Sequence, residues 1–150
     1  QGCPLSPLLF ILSLEPFLHT LRHSPNFHGF VHKSTEIKFT AYADDIMLYV
    51  SDPQSSIPAF INLLDSYLAV SGYKLNFTKS EVLPLNKFCF QHMFIGYGLK
   101  WSSGYIKCLG IKYSTSIQKT VQINMDDALA KIRSLSEKWS PLYLSWWGRL

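Results

Sequence analysis

The sequence predicts an α+β domain, with helices set against an antiparallel sheet. Three observations predict it. Helical apolar patterning occurs in three stretches, short β-branched and aromatic runs lie between them, and glycines punctuate an aromatic region from residue 88 to 116. The chain has 150 residues, of which 47% are apolar, enough for one core.

The first helix is expected to start at Ser6-Pro7, with Ser capping free amides and Pro in the first turn. The run Leu8-Leu9-Phe10-Ile11-Leu12-Ser13-Leu14 is apolar on nearly every face, which predicts burial on most sides. Pro16 has no amide hydrogen, so it should kink or divide the helix, with Phe17, Leu18 and Leu21 continuing beyond. His19, His23, His28 and His32 then cross a polar stretch containing Pro25 and Gly29. They lack partner carboxylates or thiolates and read as surface residues, not as a metal site.

Two apolar segments, Phe39-Thr40-Ala41 and Ile46-Met47-Leu48-Tyr49-Val50, flank Tyr42-Ala43-Asp44-Asp45. Their composition predicts a β-hairpin whose tip carries two adjacent carboxylates. Such tips favour Asn-Gly or Asp-Gly because the backbone needs positive φ, and no glycine is present here. Neighbouring negative charges repel, and neither suits an apolar surrounding. A divalent cation would resolve both problems, since hard oxygen ligands suit Mg²⁺. The alternative is a solvated acidic turn.

Residues 51–56 read as loop and cap, and Ile57, Phe60, Ile61, Leu64 and Leu68 recur at helical spacing after them. Gly72 ends that helix. Lys74-Leu75-Asn76-Phe77 alternates and, with Val82-Leu83-Pro84-Leu85, reads as turn and strand. Gly96, Gly98, Ser103-Gly104 and Gly110 divide the next region into short antiparallel strands. Asn124 is expected to cap a last helix, with Asp126 and Asp127 in its first turn and Leu129, Ile132, Leu135 and Trp139 as its apolar stripe. Ser140-Pro141 starts a further segment, and there is no repeat or low-complexity tract.

Charge is uneven along the chain. Residues 1–70 carry three Lys and Arg against six Asp and Glu, whereas residues 71–150 carry eleven against four. The basic half could lie along a phosphate backbone or simply solubilise the surface. Cys3, Cys89 and Cys108 match no zinc spacing and suggest no oxidising compartment. The longest apolar run, Leu8 to Leu14, is too short to span a bilayer, and no signal peptide is visible. The expected setting is intracellular, cytoplasmic and nuclear. The chain opens on Gln1-Gly2-Cys3-Pro4 without Met and closes on Trp146-Trp147-Gly148-Arg149-Leu150, so it reads as a segment of a longer protein.

Three segments fall in a telling order: Gln1-Gly2-Cys3-Pro4-Leu5-Ser6-Pro7-Leu8-Leu9-Phe10, then Ala41-Tyr42-Ala43-Asp44-Asp45, then Gly72-Tyr73-Lys74-Leu75-Asn76-Phe77-Thr78-Lys79-Ser80. They resemble the successive palm motifs of reverse transcriptases. The Gln-Gly-Cys start and the Ala before the Asp pair look most like LINE-type, non-LTR retrotransposons and their second-open-reading-frame protein. Cys108-Leu109-Gly110-Ile111 is similar to the short Leu-Gly element of that family. Lys138-Trp139 with Ser145-Trp146-Trp147-Gly148-Arg149 looks like its thumb region. Group II intron maturases share Tyr-Ala-Asp-Asp but usually have Gln-Gly-Gly at the start, and remain a close relative.

The resemblance implies a partial right-hand polymerase palm over residues 1–116, an antiparallel sheet with helices on one face, and the beginning of a helical thumb over 117–150. It implies an RNA-directed DNA polymerase acting on an RNA template, a DNA primer and deoxynucleoside triphosphates. Phosphoryl transfer to the primer 3′-oxygen uses two Mg²⁺ ions (or Mn²⁺), held about 3.5–4 Å apart. Asp44 is implied as the direct metal ligand and Asp45 as a weaker or outer one. Lys79 is implied as general acid toward pyrophosphate, or as its electrostatic partner. A solvent-facing lysine is the plain alternative. Gln1 and Gly2 would lie against the templating base and incoming nucleotide, and Tyr42 and Ala43 would face the primer terminus. Leu109 and Gly110 would grip the primer backbone through main-chain contacts. Lys112, Lys119, Lys131, Arg133 and Lys138 could follow duplex phosphates.

The family's third carboxylate, its fingers and its ribose-discriminating residue belong to motifs upstream of Gln1, so the chain alone is expected to be inactive. Two other readings stand beside this one: a decayed, non-catalytic nucleic-acid-binding remnant, and a structural α+β domain with an incidental acid pair. Oligomeric state has no signature in the sequence.

Overall fold

The structure, a computed structural model, describes residues 3–86 and 98–140. In chain order its elements are α1 (Ser6–His23), β1 (Phe30–His32), β2 (Thr35–Ile37), β3 (Phe39–Tyr42), β4 (Asp45–Leu48) and α2 (Pro53–Ser71). A 3₁₀ turn (Phe77–Lys79), β5 (Glu81–Val82), β6 (Lys100–Trp101), β7 (Tyr105–Cys108), β8 (Ile111–Ser114) and α3 (Ile117–Trp139) complete it. Helices and strands mix as expected, but among the described residues the strands form no common sheet. Among the described residues they pair two by two: β1 with β2, β3 with β4, β5 with β6, and β7 with β8. The β1–β2, β3–β4 and β7–β8 pairs are antiparallel.

The chain divides into two compact units, Gln1–Glu81 with Asn86–Lys100, and Val82–Leu85 with Trp101–Leu150. In the first, Phe17, Leu18 and Leu21 of α1 meet Leu64 of α2 and Phe27, which lies between α1 and β1, in a small buried core. Phe39, Ile46 and Leu48 of the β3–β4 ribbon, with Phe60, Tyr67 and Leu75, pack around it.

Pro16 neither divides nor ends α1. The reason is tertiary. Phe10, Leu14, Phe17, Leu18 and Leu21 form one stripe on both sides of Pro16, and its packing outweighs one missing amide bond. Pro16 itself lies on the exposed side. The expected burial on most faces is not found: Leu8, Leu9, Ile11 and Leu12 are each more than half exposed. Ser6 does not cap the helix either, because it already lies within the first turn and the preceding position is Leu5, which has no side-chain acceptor.

At α2 local chemistry suffices. Asp52 caps the helix, accepting from the Gln54 amide at 3.2 Å and the Ser55 hydroxyl at 2.7 Å, and Pro53 occupies the first position. Gly72 closes it in the left-handed conformation, φ 70°. The Ser55 hydrogen bond, followed by those of the Gln54 and Ser55 amides, lowers the Asp52 pKa below its ordinary 3.8. A carboxylate whose folded pKa is depressed contributes stability above its unfolded pKa and loses it as pH falls through the folded value. Asp52→Asn keeps an acceptor but carries no charge. Between about pH 6 and pH 2 its thermal midpoint should therefore fall less than that of the natural chain, and equal slopes would refute the cap's charge dependence.

In the second unit, α3 starts at Ile117 with Ser116 as its cap, eight residues before the expected cap Asn124. Asn124 instead lies inside the helix and uses its carboxamide on β8. Its Oδ1 accepts from the Lys112 amide at 3.0 Å and its Nδ2 donates to the Lys112 carbonyl at 2.8 Å. The Thr120 hydroxyl accepts from the Ser114 amide at 2.9 Å. These bonds satisfy backbone groups on β8 that would otherwise lack a ladder partner. Asp127, also beyond the first turn, pairs with Lys112 at 2.6 Å and raises its pKa. That ion pair ties Lys112 of β8 to α3 within the unit.

Candidate active site

The acid pair occupies a tight turn. The register Tyr42↔Asp45, Ala41↔Ile46, Thr40↔Met47 and Phe39↔Leu48 leaves Ala43-Asp44 as the two-residue loop. The carboxylates are therefore not equivalent: Asp44 stands in the loop, and Asp45 opens β4 opposite Tyr42. Because side chains alternate along a strand, Tyr42, Asp45, Thr40 and Met47 share one face. The other face carries Phe39, Ile46 and Leu48 onto the core. Burial of that face fixes the register, since a one-residue slip would turn the apolar set outward.

The missing glycine is explained by strain. Ala43 holds φ 50°, a left-handed conformation that costs a non-glycine residue about 1–2 kcal/mol. Asp44, Asp45 and Tyr42 are exposed, Tyr42 at 68%. Among the described residues neither carboxylate has a hydrogen bond or ion pair in the structure, and no group of three or more His, Cys, Asp or Glu could hold a metal. What the turn offers is a pair of exposed, acceptor-only oxygen donors, suited to part of a hard-cation site. The four histidines are exposed as expected.

Lys79 ends the 3₁₀ turn and is exposed. No hydrogen bond or ion pair links it to Asp44 or Asp45. The stretch 74–77, expected to alternate as turn and strand, is shaped instead by Asn76. Its Oδ1 accepts from the Lys79 amide at 3.2 Å and the Thr78 hydroxyl at 2.6 Å. Asn ahead of a short turn is a cap signal, and the apparent alternation concealed it.

Leu109 and Gly110 form the two-residue loop between β7 and β8, with Cys108 opposite Ile111. Both have positive φ, 50° and 83°, as a type I′ turn requires. Leucine is an unusual choice for the first position, and its side chain is 54% exposed. Gln1 and Gly2 lie outside the described residues.

The comparisons decide the family. The model of the family described as reverse transcriptase (RNA-dependent DNA polymerase) matches residues 1–113, three quarters of the chain. This chain is a member of the reverse transcriptase family. The transposon TX1 uncharacterized 149 kDa protein of Xenopus laevis is 32% identical over 117 residues, 76% of this chain and 9% of that protein. The retrovirus-related Pol polyprotein from the type-1 retrotransposable element R2 of Popillia japonica is 32% identical over 80 residues, 53% of this chain and 11% of that protein. This reverse transcriptase domain is thus similar to proteins of transposable elements, which bears out the non-LTR resemblance. It spans about a tenth of the length of these relatives. Among the described residues no helix is long and apolar enough to cross a membrane.

Proposed function

We propose that this chain provides the acid-pair turn of an RNA-directed DNA polymerase of a non-LTR retrotransposon, acting on RNA template, DNA primer and deoxynucleoside triphosphates. The observation that carries this is the strained Ala43-Asp44 turn, presenting two exposed carboxylates on a ribbon whose opposite face packs against the core. Rigid support of that kind is what fixed carboxylate geometry requires. Residues 1–116 are assigned to the palm and 117–150 to the start of the thumb.

In this reading Asp44 is a direct ligand of Mg²⁺ or Mn²⁺ and Asp45 a weaker one, with a further carboxylate supplied by an upstream motif. The ions would supply Lewis-acid charge at the attacking oxygen and at the departing pyrophosphate. The primer 3′-hydroxyl would give its proton to water as its oxygen bonds to the α-phosphorus. The bond from that phosphorus to the oxygen bridging to the β-phosphate would break, and Lys79 would give a proton to that leaving oxygen. Tyr42, on the same ribbon face as Asp45, meets the primer terminus, where the small Ala43 leaves room for the sugar. Leu109 and Gly110 hold the primer backbone, and Gln1 and Gly2 approach the templating base. The setting proposed is intracellular.

The protein that contains this chain should extend a DNA primer on an RNA template only with divalent metal. Lys79→Ala should lower its maximal rate by about a hundredfold, the scale of a general acid. Absence of RNA-templated extension would overturn the function, and an unchanged maximal rate in Lys79→Ala would remove Lys79 from the chemistry.

A further inference from the structure

Lys79 has a long, flexible side chain, yet its backbone amide is held by both the side chain and the carbonyl of Asn76. The segment from Gly72 to Ser80 has little regular structure of its own, only a single 3₁₀ turn, which is marginal by itself. Two fixtures hold it.

The first is Tyr73. Its hydroxyl lies 2.7 Å from Ser13 Oγ of α1. The one hydroxyl hydrogen of Ser13 is donated to the Phe10 carbonyl at 2.8 Å, so Tyr73 is the donor. The Phe10 ring meets Tyr73 edge-on at 5.8 Å, and Tyr67 of α2 stacks on it at 6.0 Å. Tyr67 in turn donates to the Ser13 carbonyl at 2.9 Å. One serine of α1 thus receives both phenols. Burial raises the pKa of Tyr67, so this phenol keeps its proton through the neutral range. Tyr73 remains 38% exposed, so core burial does not account for the arrangement.

The second fixture is Asn76. Besides its side-chain bonds to Lys79 and Thr78, its carbonyl accepts from the Lys79 amide at 3.1 Å and the Ser80 hydroxyl at 3.0 Å. Between the two fixtures Leu75 packs at the edge of the core. The short segment ahead of Lys79 is thus held at three points: Tyr73 at Ser13, Leu75 at the core edge, and Asn76 at the Lys79 amide.

We propose that Tyr73 and Asn76 are positioning residues for Lys79: Tyr73 moors its loop to α1, and Asn76 closes the turn that presents its ammonium. The inference rests on the reading of Lys79 as a participant in nucleotide addition. A proton donor must stand within hydrogen-bond reach of the leaving oxygen, and a misplacement of about 1 Å can cost up to about a hundredfold in rate.

The test uses the protein that contains this chain. Asn76→Ala and Tyr73→Phe should each lower kcat by about tenfold, with KM for nucleotide little changed, because placement affects the reacting geometry more than binding. Asn76→Asp keeps an oxygen acceptor for the Lys79 amide and should recover most of the rate. The decisive readout is a double-mutant cycle: in a Lys79→Ala background, neither Asn76→Ala nor Tyr73→Phe should slow the enzyme further. Additive losses in that background, or wild-type kcat in both single variants, would overturn the proposal while leaving Lys79 in place. If Lys79→Ala itself keeps full rate, the underlying reading of Lys79 fails. Should Asn76→Ala fold poorly, Tyr73→Phe removes only one hydroxyl, and its own cycle with Lys79→Ala still separates coupled from additive losses.

Discussion

Asp44→Asn should abolish primer extension by the protein that contains this chain, lowering the rate by about a thousandfold or more, the scale of losing a group that stabilises developing charge. The substitution keeps shape and one oxygen donor but removes the charge that a hard cation requires. It is also structurally quiet. Asp44 is exposed in the loop, and among the described residues it makes no hydrogen bond or ion pair in the structure. The unfolding midpoint should stay at the natural value, or rise slightly as repulsion from Asp45 is relieved. Asp45→Asn should cost less, about 10–100-fold, as an outer ligand does. The pair of measurements is informative because the two residues differ in place: one is in the turn, the other in the strand. Near-normal extension by Asp44→Asn would end the assignment of the acid pair. Equal losses in both variants would instead make the two carboxylates equivalent ligands.

Gly29→Ala should be the most destabilising single-methyl change in the first unit. A Cβ at this buried glycine would lie 2.4 Å from the Ile37 carbonyl oxygen and 2.8 Å from both the Ile37 carbonyl carbon and Lys38 Cα. All three atoms are backbone, so no side chain can swing aside, and the strand must shift. The shift would also strain the bond from the Gly29 amide to Glu36 Oε1, 2.7 Å. Overpacking of this kind costs about 1–3 kcal/mol. Lys38 immediately precedes β3, so the displacement feeds into the ribbon that carries Asp44 and Asp45. The expected result is a lower urea midpoint together with reduced extension. An unchanged midpoint would mean that the close approach of Gly29 to residues 37 and 38 is absent in solution.

Much of the candidate site was legible because its signals are local. Gly72 closes α2 as expected, through a signal that involves neighbours only a few residues away. The helix begins at Pro53 behind the Asp52 cap, inside the stretch 51–56 that read as loop and cap. The acid pair between two apolar runs located the β3–β4 turn, and the order of three motifs identified the family now borne out by the match over residues 1–113. The turn conformation was harder to foresee. No glycine marks the tip, and Ala43 accepts a left-handed backbone because the buried faces of β3 and β4 hold the register.

Other elements could not be read locally. The polar stretch that carries His28 and His32 gave no strand signal, yet Phe30–His32 and Thr35–Ile37 pair as a ribbon whose three-residue strands are too short for a periodic pattern. The strand Lys100–Trp101 lies beside Glu81–Val82 with hydrogen bonds that advance in the same sense along both, from Lys100 N–H to Ser80 O and from Ser102 N–H to Val82 O. That is the pattern of parallel neighbours, where short antiparallel strands were expected. No nearby residue announces such a pairing.

The amino-acid order alone determined the family, the position of the acid pair, and the Gly72 end of α2, because each depends on contiguous residues whose chemistry acts within a turn or two. Contacts distant in sequence decided other features: α1 runs through Pro16 along a shared apolar stripe, Asn124 inside α3 bonds β8, and Lys112 is drawn to Asp127. In each case a packing or hydrogen-bond partner outside the local window outweighed a propensity of at most a few kcal/mol, about the size of one well-buried side chain.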